Sequence, residues 1–288
     1  MANLRQIRSR IRSVQNTQKI TRAMQMVAGA KLRRTQEQLV RVRPYVDRLE
    51  GVVRRFLESA PTLTHPLLDR PTLEEPEARP PVAVALVTSD TGLCGSYNER
   101  LLAKARQLLA DTPALVVPIG RKGLAAARRD GWPILASYAE LGGRVTAPFV
   151  HQLVATLLAA YQAGRVSGVR VIYTAFQSAL RWRPTVETWL PLPRPAEDPF
   201  RAVRYLCEPT PTEIAERLLP AYLTAKLRRL LLEAMTSEHS ARMVAMKAAT
   251  DNAAEMIDAL TLTRNKVRQA SITKELAEIV AGVEALTS

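Results

Sequence analysis

Apolar residues recur at alternating spacings of three and four along the first 56 residues of the chain. The stripe has sixteen positions, of which twelve are apolar: Leu4, Ile7, Ile11, Val14, Gln18, Thr21, Gln25, Ala28, Leu32, Thr35, Leu39, Val42, Val46, Leu49, Val53 and Phe56. A heptad repeat of this length predicts a long helix that pairs as a coiled coil. Asn3 suits its N-cap, and Pro44 predicts a kink or a local loosening because proline removes one backbone donor.

Three polar positions of the stripe, Gln18, Thr21 and Gln25, cluster together. One interpretation is a register device, in which polar seam residues face the partner helix as a buried Asn does in a zipper. The other is that the seam faces something else at this point. The sequence leaves both interpretations open.

The middle of the chain alternates between strand-like and helix-like patterns. Six prolines between residues 61 and 81 predict a linker. Buried strands are predicted at Val82–Thr88, Ala114–Ile119 and Val169–Phe176, with weaker ones at Thr185–Leu190 and Val203–Cys207. Helices are predicted at Asn98–Ala110, Arg121–Asp130 and Pro148–Gly164. The alternation predicts a small, largely parallel, Rossmann-like α/β domain.

A second long helix is predicted from Thr210 to the end of the chain. Thr210 suits the N-cap, Pro211 the first helical position and Glu213 a capping box. Pro220 is expected to reset the helix axis. The predicted seam consists mostly of small residues: Ala241, Ala245, Ala248, Asn252, Met256 and Ala259.

The two long helices enter and leave the α/β domain from the same region, so they are expected to run antiparallel. The predicted fold class is therefore α+α/β: a long antiparallel coiled coil of N- and C-terminal helices plus a small α/β domain. The segments are a helix at 1–60, a linker at 61–81, the α/β domain at 82–208 and a helix at 209–288.

The C-terminal helix is the longer, so residues 271–288 should project beyond their partner. An apolar stripe there predicts a partner from another chain: Ile272, Leu276, Ile279, Val283 and Leu286.

The positive charge is concentrated at one end of the chain. The net charge is +14, and residues 1–55 hold 14 Lys or Arg against 3 Asp or Glu. Such an excess suggests an acidic partner: a nucleic acid, an anionic membrane face or an acidic protein. The basic residues are not interleaved with aromatics, which favours an acidic protein, while a basic coiled-coil nucleic-acid-binding or scaffold protein stays as the alternative.

The sequence offers little catalytic chemistry. The turn at residues 90–95 and the segment Gly120–Gly123 follow strands, but neither matches a Walker or dinucleotide-binding motif. Cys94 is a weak candidate nucleophile in a third hypothesis, a small α/β enzyme with helical extensions. The histidines have no metal-binding spacing, so we predict no catalytic, cofactor or metal site. The sequence contains no run of 18 apolar residues, so we predict no transmembrane helix.

Four segments resemble one family, the gamma subunits of F-type ATP synthases. They are IRSVQNTQKITRAMQMVAGAK at 11–31, TSDTGLCGSYN at 88–98, EHSARMVAMKAATDNA at 238–253 and NKVRQASITKELAEIVAG at 265–282. The resemblance implies a non-catalytic shaft that couples proton-driven rotation to conformational cycling of the catalytic beta subunits. It implies as partners the ring of alpha and beta subunits, the epsilon subunit and the membrane c-ring, with no nucleic acid and no membrane insertion.

By motif match, six residues are expected at the contacts between shaft and ring: Met24, Arg242, Arg268, Gln269, Thr273 and Glu275. The resemblance also implies an apolar sleeve for the C-terminal tip. Thr91 stands where the family usually has Arg, and Ser96 where it usually has Gly, so the charge of that loop departs from the pattern. The expected location is peripheral, at the cytoplasmic face of a bacterial plasma membrane.

Overall fold

The computed structural model describes residues 4–69, 80–195 and 207–287, and within the last range it describes side chains to residue 281 and at Val283. Asn3, residues 70–79 of the linker, residues 203–206 of the weakest predicted strand and the Leu286 side chain lie outside this description. The described linker residues, 61–69 and 80–81, form neither helix nor strand.

The described parts of the chain form five helices and four strands. In order they are α1 (Leu4–Ser59), β1 (Val82–Val87), α2 (Tyr97–Ala110), β2 (Ala114–Ile119), α3 (Arg121–Arg129), α4 (Ala147–Gln162), β3 (Val169–Ser178), β4 (Arg181–Leu190) and α5 (Pro211–Thr287). The predicted helices and the first three strands lie within two residues of these bounds.

Backbone contacts divide the chain into two compact units. We call Met1–Ala28 with Met243–Ser288 the helical unit and Gly29–Arg242 the sheet unit. Each long helix therefore contributes one end to the helical unit and the remainder to the sheet unit. The division into segments at 60, 81 and 208 stays a prediction, since the compact units follow contacts rather than elements.

The sheet has the strand order β2-β1-β3-β4. Strand β1 pairs in parallel with β2 and with β3, whereas β4 pairs antiparallel with β3. The predicted sheet, small and largely parallel, is confirmed. Strand β4 begins at Arg181 rather than at Thr185, because it continues directly from β3 through a tight hairpin.

Both faces of the sheet are covered, which explains why β1 is an unbroken apolar run. On one face Ala83, Ala85 and Val171 join a core with residues of α1, α4 and α5. On the other face Val84 and Ile172 pack with residues of α2 and α3.

In the sheet unit, α1 and α5 run antiparallel. Arg43 pairs with Glu233 at 3.2 Å and Asp47 with Arg229 at 2.9 Å, so the residue number rises on one helix as it falls on the other. Helix α5 begins as predicted, since the Glu213 N–H donates to Thr210 Oγ1 at 3.3 Å. Both helices continue through their internal prolines, Pro44 and Pro220.

The apolar stripe of α1 is buried or half-buried at all sixteen predicted positions. In the helical unit the polar cluster faces the partner helix, because the hydroxyls of Thr21 and Thr250 form a hydrogen bond of 2.8 Å. Of the two interpretations, the register device is therefore the correct one at Thr21.

The predicted seam of α5 is wrong in the helical unit. Ala248, Asn252, Met256 and Ala259 are exposed, and the buried positions are Met246 and Ala253. Alanine occurs on several faces of this helix, so small residues alone do not identify the buried one.

Candidate functional site

The loops after β1 and β2 meet at the carboxyl edge of the sheet, where ligands bind in many parallel α/β folds. Here the chain fills those positions itself. Asp90 Oδ1 accepts the N–H of Arg121 at 3.1 Å, and Thr88 Oγ1 accepts that of Gly123 at 2.7 Å. The Lys122 N–H donates to Ser89 O at 3.1 Å. The first turn of α3 therefore has no free donors for a phosphate, which favours a tight connection over a phosphate cradle.

Gly120 shows how closely these loops approach each other. A β-carbon at this position would lie 2.3 Å from Thr88 O, and the backbone φ of +98° also disfavours any side chain. The glycine is thus required by the packing of two loops, not by a bound ligand.

Cys94 does not have the surroundings of a nucleophile. Its side chain is buried, within 3.9 Å of Ser89 Oγ, and it accepts a hydrogen bond from Asn98 Nδ2 at 3.3 Å. Burial raises the pKa of the Cys94 thiol, although the positive charge of Arg242 opposes the shift. A protonated, buried thiol is a poor nucleophile, so the structure favours a packing role.

Arg242 ties helix α5 to the loop after β1. Its guanidinium pairs with Glu238 at 2.8 Å and donates to Thr91 Oγ1 at 3.0 Å, to Thr91 O at 3.2 Å and to Gly92 O at 3.4 Å. Both charged side chains are largely buried, and burial raises the pKa of Glu238 while Arg242 opposes the rise. Thr91, the departure from the family pattern, supplies an acceptor that an arginine at this position would lack.

We expect Arg242→Gln to lower the free energy of unfolding by about 3 kcal/mol, because it leaves the largely buried Glu238 carboxylate without its counter-charge. Chemical denaturation of the full chain measures this. The double variant with Glu238→Gln should recover part of the loss, and Arg228→Gln, on the exposed face of α5, should change little. Equal losses for Arg228→Gln and Arg242→Gln would contradict the role of this contact.

A cleft of about 340 Å³ lies beside this contact within the sheet unit. Its walls come from α1 (Lys31), the loop after β1 (Asp90), the start of α3 (Arg121), the loop at 140–143 and α5 (His239). His239 is only 1% exposed, and among the residues that the structure describes neither ring nitrogen finds a hydrogen bond of normal geometry. Burial, and then the charges of Arg242 and Lys31, lower the pKa of His239 to about 4, while the Gly143 backbone opposes the shift.

Sequence reasoning missed this cleft. The available signal is the run Thr236–Ser240, five consecutive polar residues on a long helix, all of which are buried. Ser237 Oγ donates to Thr174 O at 3.1 Å, and Ser240 Oγ donates to Ala179 O. A polar run this long on every face of a helix indicates that the helix passes through a polar interior.

The N-terminal part of α1 presents unpaired positive charge. Within the helical unit, five exposed basic side chains make no ion pair within 4 Å with any described residue: Arg8, Arg10, Arg12, Lys19 and Arg22. Met24 is 40% exposed on the same helix. This surface is thus available for an acidic partner.

The described apolar residues of the C-terminal stripe are exposed to solvent. Ile272, Leu276, Ile279 and Val283 are 50 to 63% exposed. Of the other residues expected at the ring, Arg268, Gln269, Thr273 and Glu275 are all exposed on the same part of α5. Arg242 differs from them, because its guanidinium is already engaged within the chain. The roles of all these residues at another subunit stay predictions.

None of the helices in the described ranges has an apolar stretch long enough to cross a bilayer. Nor do the described Cys, His, Asp and Glu side chains form a group that could hold a metal ion.

Solved structures share this fold. A chain from the Euglena gracilis mitochondrial ATP synthase, described as OSCP/F1/c-ring in rotational state 3, superposes with a TM-score of 0.69 at 18% identity over 98% of this chain and 94% of that one. A chain from the Tetrahymena thermophila mitochondrial ATP synthase, described as central stalk/c-ring, gives a TM-score of 0.60 at 21% identity over 80% and 99%. These similarities confirm the predicted fold class.

Sequence relatives identify the family. A family model described as ATP synthase matches residues 3–286. The ATP synthase gamma chain of Moorella thermoacetica is 44% identical over 99% of this chain and its own full length, and that of Symbiobacterium thermophilum is 41% identical over 99% and 98%. The chain therefore belongs to the family of ATP synthase gamma chains, as its four sequence motifs had led us to expect.

Proposed function

We propose that the chain is the central rotor shaft of an F-type ATP synthase, a non-catalytic subunit that couples proton-driven rotation to conformational cycling of the catalytic beta subunits. The family supports this, and solved structures with the same fold carry the descriptions rotor and central stalk. The observation that carries the proposal furthest is the uncovered apolar end of α5.

An apolar tip suits a bearing that turns. Four side chains of α5 that are at least half exposed lose contact with water when a sleeve of another subunit surrounds them, and this is favourable by roughly 25 cal/mol per Å². Apolar contact is non-directional, so rotation of the tip breaks no specific hydrogen bond. A surrounding sleeve can thus keep the end of α5 in place along the helix axis while the helix turns within it.

The basic face of α1 suits the acidic loops of catalytic subunits that the family resemblance implies. Unpaired arginines on a helix attract such loops at distances near the Debye length, which is about 8 Å at physiological salt. Contacts of this kind are modest in strength, as a moving interface requires. Met24, Arg268, Gln269, Thr273 and Glu275 are the exposed residues that we assign to the shaft–ring contacts. Arg242, the sixth residue of that prediction, is already engaged within the sheet unit by Glu238 and Thr91.

The sheet unit provides the surface that we assign to the epsilon subunit and the membrane c-ring. It holds α5 through Trp189, Lys226 and the buried polar run, so a force applied to the sheet reaches the helix. ATP chemistry belongs to the beta subunits. We place the chain at the cytoplasmic face of a bacterial plasma membrane, as a peripheral part of the complex, on the basis of its bacterial relatives.

Deletion of residues 271–288 tests the proposal. Residues 272–281 are all exposed, so the unfolding transition of the sheet unit should be preserved when the tip is removed. Copurification of alpha and beta subunits with the chain from membranes, or ATP-driven proton pumping by the purified complex, should fall several-fold. Unfolding of the truncated chain as a whole would show that the tip is part of the fold and not a free end.

A finer variant keeps the length of the helix. Replacing Ile272, Leu276 and Ile279 by glutamine removes the apolar stripe but retains residues that favour a helix. A matched control replaces Lys274 and Glu278, an exposed ion pair at 3.5 Å on the same part of α5. If the control reduced coupling as much as the apolar variant, the sleeve would depend on charge and the bearing argument would fail.

A further inference from the structure

The cleft beside Arg242 contains a buried imidazole whose hydrogen bonding is incomplete. His239 is buried to 99%, and neither ring nitrogen makes a hydrogen bond of normal geometry with any described residue. Leaving a buried donor or acceptor unpaired is costly, so such groups have a partner in nearly all native proteins. The site is built from several elements of the sheet unit, and it plays no part in the proposed rotation.

Gly143 leaves a space between His239 and a basic side chain. A β-carbon at Gly143 would lie 3.6 Å from His239 Nε2 and 3.8 Å from Lys31 Nζ. The imidazole and the ammonium therefore approach one common point, which only a glycine leaves open. Lys31 is exposed and makes no ion pair within 4 Å with any described residue, so its ammonium is able to meet a ligand in the cleft.

The other charged groups of the cleft already have partners. Glu238 pairs with Arg242, and Asp90 Oδ1 accepts the N–H groups of Arg121 and Glu140. Glu140 is mostly exposed and lies 4.0 Å from Arg121. The groups left to bind a ligand are thus the Lys31 ammonium and the neutral His239 imidazole, whose N–H can donate a hydrogen bond to a ligand oxygen.

We propose that this cleft binds a small oxyanion, of the phosphate or carboxylate class, between Lys31 Nζ and His239 at the space that Gly143 leaves open. A cation is disfavoured at this point, because the Lys31 ammonium approaches it and Asp90 Oδ1 already accepts two backbone N–H groups. The volume of about 340 Å³ accommodates a small anion with its hydration water. The bound anion supplies the acceptor oxygens that both free groups lack.

Histidine-selective NMR of the full-length chain tests the site. Inorganic phosphate, and in a second series acetate, is titrated at neutral pH and constant ionic strength. The expected result is a saturable shift of the His239 signals, while those of His65 and His151 stay in place. Saturation by phosphate alone, by acetate alone or by both identifies the class of oxyanion. The absence of a saturable His239 shift with either anion overturns the proposal.

Two pairs of variants separate binding from general effects. Lys31→Gln should weaken the anion about tenfold, because a hydrogen bond to a charged group is lost, while Arg34→Gln, exposed on the same helix but outside the cleft, should not. Gly143→Ala fills the space, whereas Gly142→Ala has a similar φ, +61° against +72°, but meets nothing within 4 Å. Equal binding by Lys31→Gln and the unmodified chain would show that the shift has another origin.

Discussion

Replacing Trp189 by alanine is expected to lower the free energy of unfolding of the sheet unit by about 4 kcal/mol. Trp189 lies on β4 with 0% exposure, at the junction between the sheet and α5. Its indole N–H donates to Leu223 O on α5 at 3.1 Å. The substitution therefore creates a large cavity and also removes the hydrogen bond that links β4 to α5. Chemical denaturation followed by circular dichroism measures the change.

Two controls separate the cavity from the hydrogen bond. Trp189→Phe keeps most of the apolar volume, so we expect a loss of about 1–2 kcal/mol from the missing donor and the remaining gap. Trp182→Ala removes the same side chain from the same strand, but Trp182 is only half-buried, against Tyr97 and Arg100. A loss at Trp182 as large as the loss at Trp189 would contradict the special position of Trp189.

The same substitution should also affect coupling. Next to Trp189, Lys226 on α5 pairs with Glu187 at 2.9 Å and donates to Thr188 O at 3.3 Å. Together these contacts fasten β4 to the helix that carries the apolar tip. In the proposed rotor, a loosened junction should therefore reduce proton pumping per ATP hydrolysed, even in complexes that still assemble.

The heptad pattern of α1 was sufficient to predict its buried face at every position. This succeeded because the apolar positions of α1 follow the heptad spacing along the whole helix, although other apolar side chains such as Ile20, Met26 and Val40 are exposed. Strands β1 and β2 were equally clear, since a strand covered on both faces is a short apolar run between turn residues. Strand β4 was harder to predict from the sequence. It is an edge strand, its exposed positions carry Arg181 and Arg183, and Pro184 lies within it.

Helix α5 shows the limit of periodicity. Between residues 230 and 240 it is buried on all sides, so its polar residues there have no preferred face. Beyond that segment alanines occur on several faces, and the seam was placed on the wrong one. The identity of the buried face depends on Met246 and Ala253, whose contacts come from the partner helix and not from a local pattern.

The candidate sites also differ in how far the sequence alone predicts them. The tip could be predicted from length and pattern, since an apolar stripe beyond the reach of its partner is a property of one helix. The contact of Arg242 with Thr91 and the cleft at His239 join residues far apart in the chain. Their spacing carries no motif, so only the folded chain brings them together.

Acidification should destabilise the sheet unit through His239. Its pKa of about 4 lies below the ordinary value of 6.5, so the unfolded chain takes up the proton first. Stability is therefore complete above a pH of about 6.5 and is lost as the pH falls towards about 4, by roughly 3 kcal/mol for this group. The groups facing the imidazole are Lys31 on α1, Arg121 and the carboxylates of Asp90 and Glu140 in the loops, and Glu238 and Arg242 on α5.

Comparison with His239→Gln isolates this contribution. Glu238 acts in the opposite direction, because burial raises its pKa and the folded chain then takes up a proton more readily than the unfolded one. Glu238 is present in both chains, so its contribution cancels when the unfolding free energy of His239→Gln is subtracted from that of the native chain. This difference should fall by about 3 kcal/mol from neutral pH to pH about 4. His151→Gln, on an exposed position of α4, should leave the pH dependence unchanged. Parallel pH profiles for the native chain and His239→Gln would show that the imidazole is already protonated, or paired, at neutral pH.

Adding the proposed oxyanion should flatten the native profile, since a bound anion favours the imidazolium, and should leave the His239→Gln profile as it was.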